Sequence, residues 1–115
     1  EKTIKGLEQL VGDLHAKNQP IAAICAATTY LGDKGYLNDV KHTSNALDYL
    51  KQVAPTYSGE QYYQQAFAVT DQNIITATGI APIEFAREVF KKIELYPQEH
   101  IEKWFQLFKH GVWVE

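Results

Sequence analysis

The chain has 115 residues, 45% of them hydrophobic and 22% charged, with a formal net charge of -3. That is the size and composition of one small globular domain, and its scattered charges form no basic cluster of the kind that holds nucleic acid. No apolar run nears the ~20 residues of a membrane span, and the single cysteine, Cys25, excludes an internal disulfide.

Read in chain order, Glu1 to Asn18 is an amphipathic helix, with Ile4, Leu7, Leu10, Val11 and Leu14 on one face. Pro20 stops it. The run Ile21-Ala22-Ala23-Ile24 has no alternation, which fits a strand buried on both faces of a parallel sheet. Cys25 sits at its end, and Ala26 to Leu31 reads as a short helix closing near Gly32 to Gly35. Val40 to Ser44 is a second candidate strand, and Asn45 is placed to cap a helix carrying Ala46, Leu47, Leu50 and Val53. Pro55 to Gly59 is a turn-rich loop. Ala66 to Val69 and Ile74 to Ala77 form a hairpin about Asp71-Gln72-Asn73.

Pro82 suits the first turn of the next helix, whose apolar stripe is Ile83, Ala86, Phe90 and Ile93. The last helix starts at Pro97, carries Ile101, Trp104, Phe105 and Phe108 on one face, and ends at Gly111. The trailing Val112-Trp113-Val114 is too apolar for a free tail and is expected to dock on the body or on a partner. Alternation of helices and strands implies an α/β layered domain. Two buried strands and a hairpin leave the helices' apolar faces uncovered, so residues 1–115 are expected to be an incomplete folding unit.

The chemistry concentrates at Cys25. A strand that runs straight into a helix with a thiol at the junction has the layout of a nucleophile elbow. The helix N-terminus favours the reactive thiolate, and the Ala26 N–H would point where an oxyanion develops. The bland reading of a lone cysteine in an apolar run is a small buried hydrophobe. His42 is either a satisfied polar residue at a strand end or a base reaching Cys25, and Asn45 is a helix cap, a substrate contact or both. His15, His100 and His110 lie on helix surfaces, and the histidines lack the spacing of a structural zinc site. Tyr57, Tyr62 and Tyr63 are assigned to packing or loop anchoring, and the Trp104, Phe105, Phe108 stripe to the core.

Three segments together resemble the ThiJ/PfpI family of the class I glutamine amidotransferase-like superfamily. They are Ala23-Ile24-Cys25-Ala26-Ala27, then Gly35 through Asn45, then Asp71-Gln72-Asn73-Ile74-Ile75-Thr76-Ala77-Thr78-Gly79 with Glu84-Phe85-Ala86 after it. The resemblance implies a three-layer flavodoxin-like sandwich with a mostly parallel sheet, of which this chain is the C-terminal portion. It implies hydrolase, amidase, intracellular protease-like or glyoxalase-like chemistry on a small molecule or peptide, with Cys25 as nucleophile and no cofactor or metal. It also implies a homodimer, while the lone thiol fits a reducing compartment, most simply the cytoplasm. The family's acidic partner of the cysteine and its Pro-Gly-Gly oxyanion loop would come from a complementary N-terminal segment. The chain departs from the family where a histidine often stands: Ala26 follows the cysteine, and Asn45 closes the Thr-Thr-His segment. A neutral amide cannot serve as a general base. The alternative function is therefore a non-catalytic stress or redox-sensing protein, or a ligand-binding one, that keeps the reactive thiol.

Overall fold

The computed structural model describes residues 2–113, with side chains from Lys5 onward. Eight elements follow in order: α1 (Lys2–Ala16), β1 (Ile21–Ile24), α2 (Ala27–Asp33), α3 (Leu47–Val53), β2 (Ala68–Asp71), β3 (Ile74–Ala77), α4 (Pro82–Lys92) and α5 (Gln98–His110). A 3-10 turn, Glu60–Tyr62, separates α3 from β2. The strands form one sheet in the order β1-β3-β2. β1 runs parallel to β3, with Ile21 opposite Ile74 and Ile24 opposite Ala77, and β2 runs antiparallel to β3.

β3 is the central strand, and all four of its residues are buried. An apolar run without alternation is what two covered faces require. On one face Ile74 joins Ala23, Val11, Leu31, Leu37, Val40, Leu50 and Ala54 in a single cluster. Leu37 and Leu50 are completely buried there, each contributing about 1.5–3 kcal/mol relative to an exposed side chain. Successive strand residues point to opposite faces, so Ile75 and Ala77 face away from that cluster. α4 contacts all three strands and carries α5 on its back. The hairpin between β2 and β3 turns at Gln72, which takes φ 53. Pro82 occupies the first turn of α4, and Gly111 ends α5 in the left-handed conformation at φ 68.

Several expectations need correction. Val40 to Ser44 is not a strand; it makes one isolated parallel bridge, between His42 and Tyr63. The segment lies against β3, but a side chain takes the ladder's place: the Thr43 N–H donates to Thr76 Oγ1 at 2.8 Å. Asn45 does not cap α3. That helix starts at Leu47 after an extended Ala46, with no side-chain cap. The apolar stripes are also less buried than their periodicity implies. Leu7 and Leu10 of α1, Ile93 after α4, and Phe108 of α5 are exposed, whereas Val11, Ile101 and Phe105 are buried. Val112 and Trp113 are exposed as well; Val114 and the Ile4 side chain lie outside the described residues. Among the described residues β1 pairs only with β3, and Ala22 on it is exposed. No described helix is long and apolar enough to cross a membrane.

Candidate active site at the end of β1

β1 delivers Cys25 to the end of the sheet. The Cys25 N–H still donates to the Ala77 carbonyl at 3.0 Å, continuing the β1–β3 pairing by one residue. The backbone then turns sharply: Cys25 has φ 60, while Ala26 is already helical at φ -63, ψ -26. A left-handed conformation in a residue with a Cβ costs about 1–2 kcal/mol, so neighbouring bonds must hold it. They come from Thr28, whose N–H (3.2 Å) and hydroxyl (2.7 Å) both donate to the Cys25 carbonyl. Thr28 has one hydroxyl proton, and the carbonyl takes it. In the 2.7 Å contact between Thr28 Oγ1 and Ser44 Oγ, Ser44 is therefore the donor. Thr28 and Ser44 are wholly buried, so the turn rests on satisfied, water-free hydroxyls, while the thiol itself is exposed.

Asn45 and Gly79 form the opposite wall. The Gly79 N–H donates to Asn45 Oδ1 at 2.8 Å, and Asn45 Nδ2 donates to Cys25 Sγ at 3.4 Å. The first bond fixes the orientation of the amide: with Oδ1 held by an N–H, only the NH2 end faces the sulfur. Asn45 thus acts on Cys25 as a donor. Gly79 is a glycine because of crowding: a Cβ there would lie 2.8 Å from Sγ and 3.2 Å from Asn45 Oδ1. Beside this wall opens a hollow of about 620 Å³, lined by Asn45, Gly79, Gln65, Phe67 and Ile80 among others.

The structure brings Cys25, Ala26 and Asn45 together and places His42 elsewhere. His42 is completely buried, with Nδ1 2.7 Å from the Val40 carbonyl and Nε2 2.6 Å from the Tyr57 hydroxyl. The carbonyl can only accept, so Nδ1 carries the proton and Nε2 accepts from Tyr57. Burial pulls the His42 pKa below its ordinary value, against the raising effect of the Val40 bond. Burial also pushes the Tyr57 pKa up to about 12, aided by the negative charge of Glu60. The pair is thus neutral, and both ring nitrogens are committed away from the thiol. Tyr57 and Tyr63 also pack on the core cluster. His15 rests on the Tyr36 ring, with centroids 4.5 Å apart. Among the described residues no group of three His, Cys, Asp or Glu side chains gathers as metal ligands.

Gly79, Thr28 and Ser44 are site residues that the sequence reading did not single out. Gly79 closed a recognised motif, but nothing in the sequence tied it to a cysteine more than fifty residues earlier.

Comparison with known proteins places the family and the fold. The sequence signature of the DJ-1/PfpI family matches residues 2–92. The chain is 50% identical over 99 residues to the uncharacterized protease YoaZ of Bacillus subtilis, covering 86% of this chain and 47% of that protein. It is 37% identical over 107 residues to the uncharacterized protease YdeA of the same organism, covering 93% and 54%. Among solved structures, a thiJ/pfpI family protein from Bacillus anthracis superimposes with a TM-score of 0.91 at 42% identity, over 97% of this chain and 53% of that one. The DJ-1 superfamily protein Atu0886 from Agrobacterium tumefaciens gives 0.80 at 41% identity, over 89% and 54%. The chain thus spans about half the length of the relatives it matches.

Proposed function

The chain belongs to the DJ-1/PfpI family, and from that premise we propose that Cys25 is the nucleophile of a hydrolase or amidase acting on a small molecule or peptide. The observation that carries the reading is the exposed thiol on a left-handed turn, with an oriented amide donor beside it. A strained residue held by its surroundings is a recurrent mark of a functional site.

In this reading the Cys25 sulfur attacks a carbonyl carbon and forms a C–S bond. The carbonyl oxygen takes the negative charge and meets the Ala26 N–H, one of the donors a helix leaves open at its start. The leaving group departs with the electron pair of its bond and takes a proton from the thiol or from water. Water then cleaves the thioester, releasing an acid and restoring the thiol. Asn45 holds the sulfur and supplies no base. The β1 edge that faces away from β3 is proposed to receive strands of a complementary segment, which brings the acidic partner and the rest of the oxyanion loop.

The alternative, a stress or redox-sensing or ligand-binding protein, draws on one observation: His42 is committed to Val40 and Tyr57. The test uses a p-nitrophenyl ester, whose leaving group needs no acid to depart. Full-length protein should release p-nitrophenolate and pass through an acyl adduct on Cys25 visible by intact mass. Cys25→Ala should abolish both. Hydrolysis that survives in Cys25→Ala, or a reactive thiol that never acylates, sinks the enzyme reading and leaves the alternative.

A further inference from the structure

The hollow beside the thiol has a composition that limits what can enter it. Its volume, about 620 Å³, is within the range of small-molecule sites. Asn45 and Gly79 belong both to its wall and to the immediate surroundings of Cys25 Sγ, so whatever fills it lies within one residue of the sulfur. No lining residue is charged. Two neighbouring ions are turned away: Lys109 lies over the Phe67 ring at 5.1 Å and bonds Glu84 at 2.7 Å, and Glu84 and Lys109 line a separate hollow on which Phe67 also borders. Phe67 therefore divides a charged compartment from a neutral one.

The apolar surface of the neutral compartment is also conspicuous. Ile80 is 80% exposed and Phe67 52% exposed. Large apolar side chains left open beside a reactive atom are expected to find an apolar partner when a ligand arrives. Of the polar side chains, Asn45 is already engaged at both ends by Gly79 and Cys25, which leaves the Gln65 amide and the Thr78 hydroxyl, buried with no partner among the described residues, as directional groups. A charged substituent placed here would lose water and gain no counter-ion from the described lining.

We infer that this hollow selects the group delivered to Cys25, and that it takes an uncharged substituent with an aromatic or branched apolar side chain. The inference rests on Cys25 being the reactive centre, as proposed above, and specifies the substrate class of that centre. Among the described lining residues there is no charge to pair with an acidic or a basic substituent. Phe67 and Ile80 are the specificity-determining side chains.

Alkylation tests this without requiring acyl chemistry. Full-length protein is treated with N-benzyl iodoacetamide, iodoacetamide or iodoacetate, and adducts on Cys25 are followed by intact mass. Each rate is divided by the rate of the same reagent with free glutathione. The benzyl reagent should exceed iodoacetate by about tenfold or more, the discrimination a modest apolar pocket supplies, with iodoacetamide between them. Phe67→Ala should shrink the benzyl preference. Ile80→Lys, at a surface position that leaves folding intact, should raise the relative rate of iodoacetate. Equal normalised rates for the three reagents, or a preference unchanged in both variants, overturn the inference. The outcome is separable from that of the ester experiment: a flat alkylation profile with Cys25-dependent ester hydrolysis removes the selectivity alone. A selective thiol that never acylates removes the hydrolase and leaves a selective ligand pocket.

Discussion

Replacing Gly79 by alanine probes the wall of the site with a single methyl group. The added Cβ would lie 2.8 Å from Cys25 Sγ, 3.3 Å from Cys25 Cβ and 3.2 Å from Asn45 Oδ1, whereas unstrained heavy-atom contacts lie at about 3.5–4.0 Å. Cys25 cannot retreat as a whole. Its N–H is bound to Ala77, and its carbonyl takes two bonds from Thr28. Relief must come from rotation of the thiol or displacement of the Gly79 backbone. Rotation breaks the Asn45–sulfur contact, and displacement breaks the Gly79–Asn45 bond that orients the amide. Overpacking of this kind costs about 1–3 kcal/mol of stability. A hydrogen bond is worth about 0.5–1.5 kcal/mol, and at 1.36 kcal/mol per factor of ten its loss slows alkylation roughly two- to tenfold. The assay is the second-order rate of Cys25 alkylation by iodoacetamide at neutral pH, with a urea melt to establish that the variant is folded. A folded Gly79→Ala protein that alkylates at the wild-type rate would refute the clamp.

Further outcomes follow from the same geometry. Asn45→Asp replaces the donor with a carboxylate facing the sulfur, and should slow alkylation at neutral pH more than Asn45→Ala does; a faster Asp variant would reverse the assigned amide orientation. His42→Ala strands the Tyr57 hydroxyl and the Val40 carbonyl, at about 1–3 kcal/mol each, so urea unfolding should show a large loss while folded protein alkylates normally. Burial keeps the His42 pKa below its ordinary value of about 6.5, so its contribution to stability is complete above that value and is lost as pH falls through the folded pKa. His42→Gln should flatten that part of the stability–pH curve, and an unchanged slope would show that another group is responsible. Lys109→Met removes the 2.7 Å ion pair of the buried Glu84 carboxylate and leaves it the weaker influence of Arg87, and should cost about 2 kcal/mol in a urea melt. That is less than for a fully buried pair, because Lys109 keeps some contact with water. Burial acts to raise the Glu84 pKa, but the Lys109 bond and charge lower it overall, so Glu84 should stabilise the fold above about pH 4.3 and lose that contribution on acidification.

The parts that could be read from sequence were those carried by local pattern. The unbroken apolar run of β1, the turn residues before β3, Pro82 and Gly111 mark their elements through backbone rules that act within a few residues. The elbow at Cys25 was visible because strand, thiol and small residues adjoin in the chain. Asn45 was not legible as a clamp, because its partners Cys25 and Gly79 are distant in sequence and local capping chemistry offered a sufficient reason for it. Val40 to Ser44 resembled a strand by composition, yet the Thr76 hydroxyl takes the bond a ladder would supply. The apolar stripes of α1 and α5 predict which faces are hydrophobic. They do not say what covers those faces, and Leu10 and Phe108 remain exposed.

The amide at position 45 has a consequence for how reactivity responds to acidity. An imidazole at that wall would change charge near neutrality, so its hydrogen bond to sulfur would depend on pH, and the rate profile would carry two breaks and a maximum. Asn45 neither gains nor loses a proton across that range. Its donor faces Sγ at every pH at which the fold survives, because a backbone N–H, from Gly79, sets its direction. His42, sealed against Val40 and Tyr57, adds no second break from a distance. Among the described residues the wall facing Sγ is thus a fixed fitting whose hydrogen bond does not change with acidity.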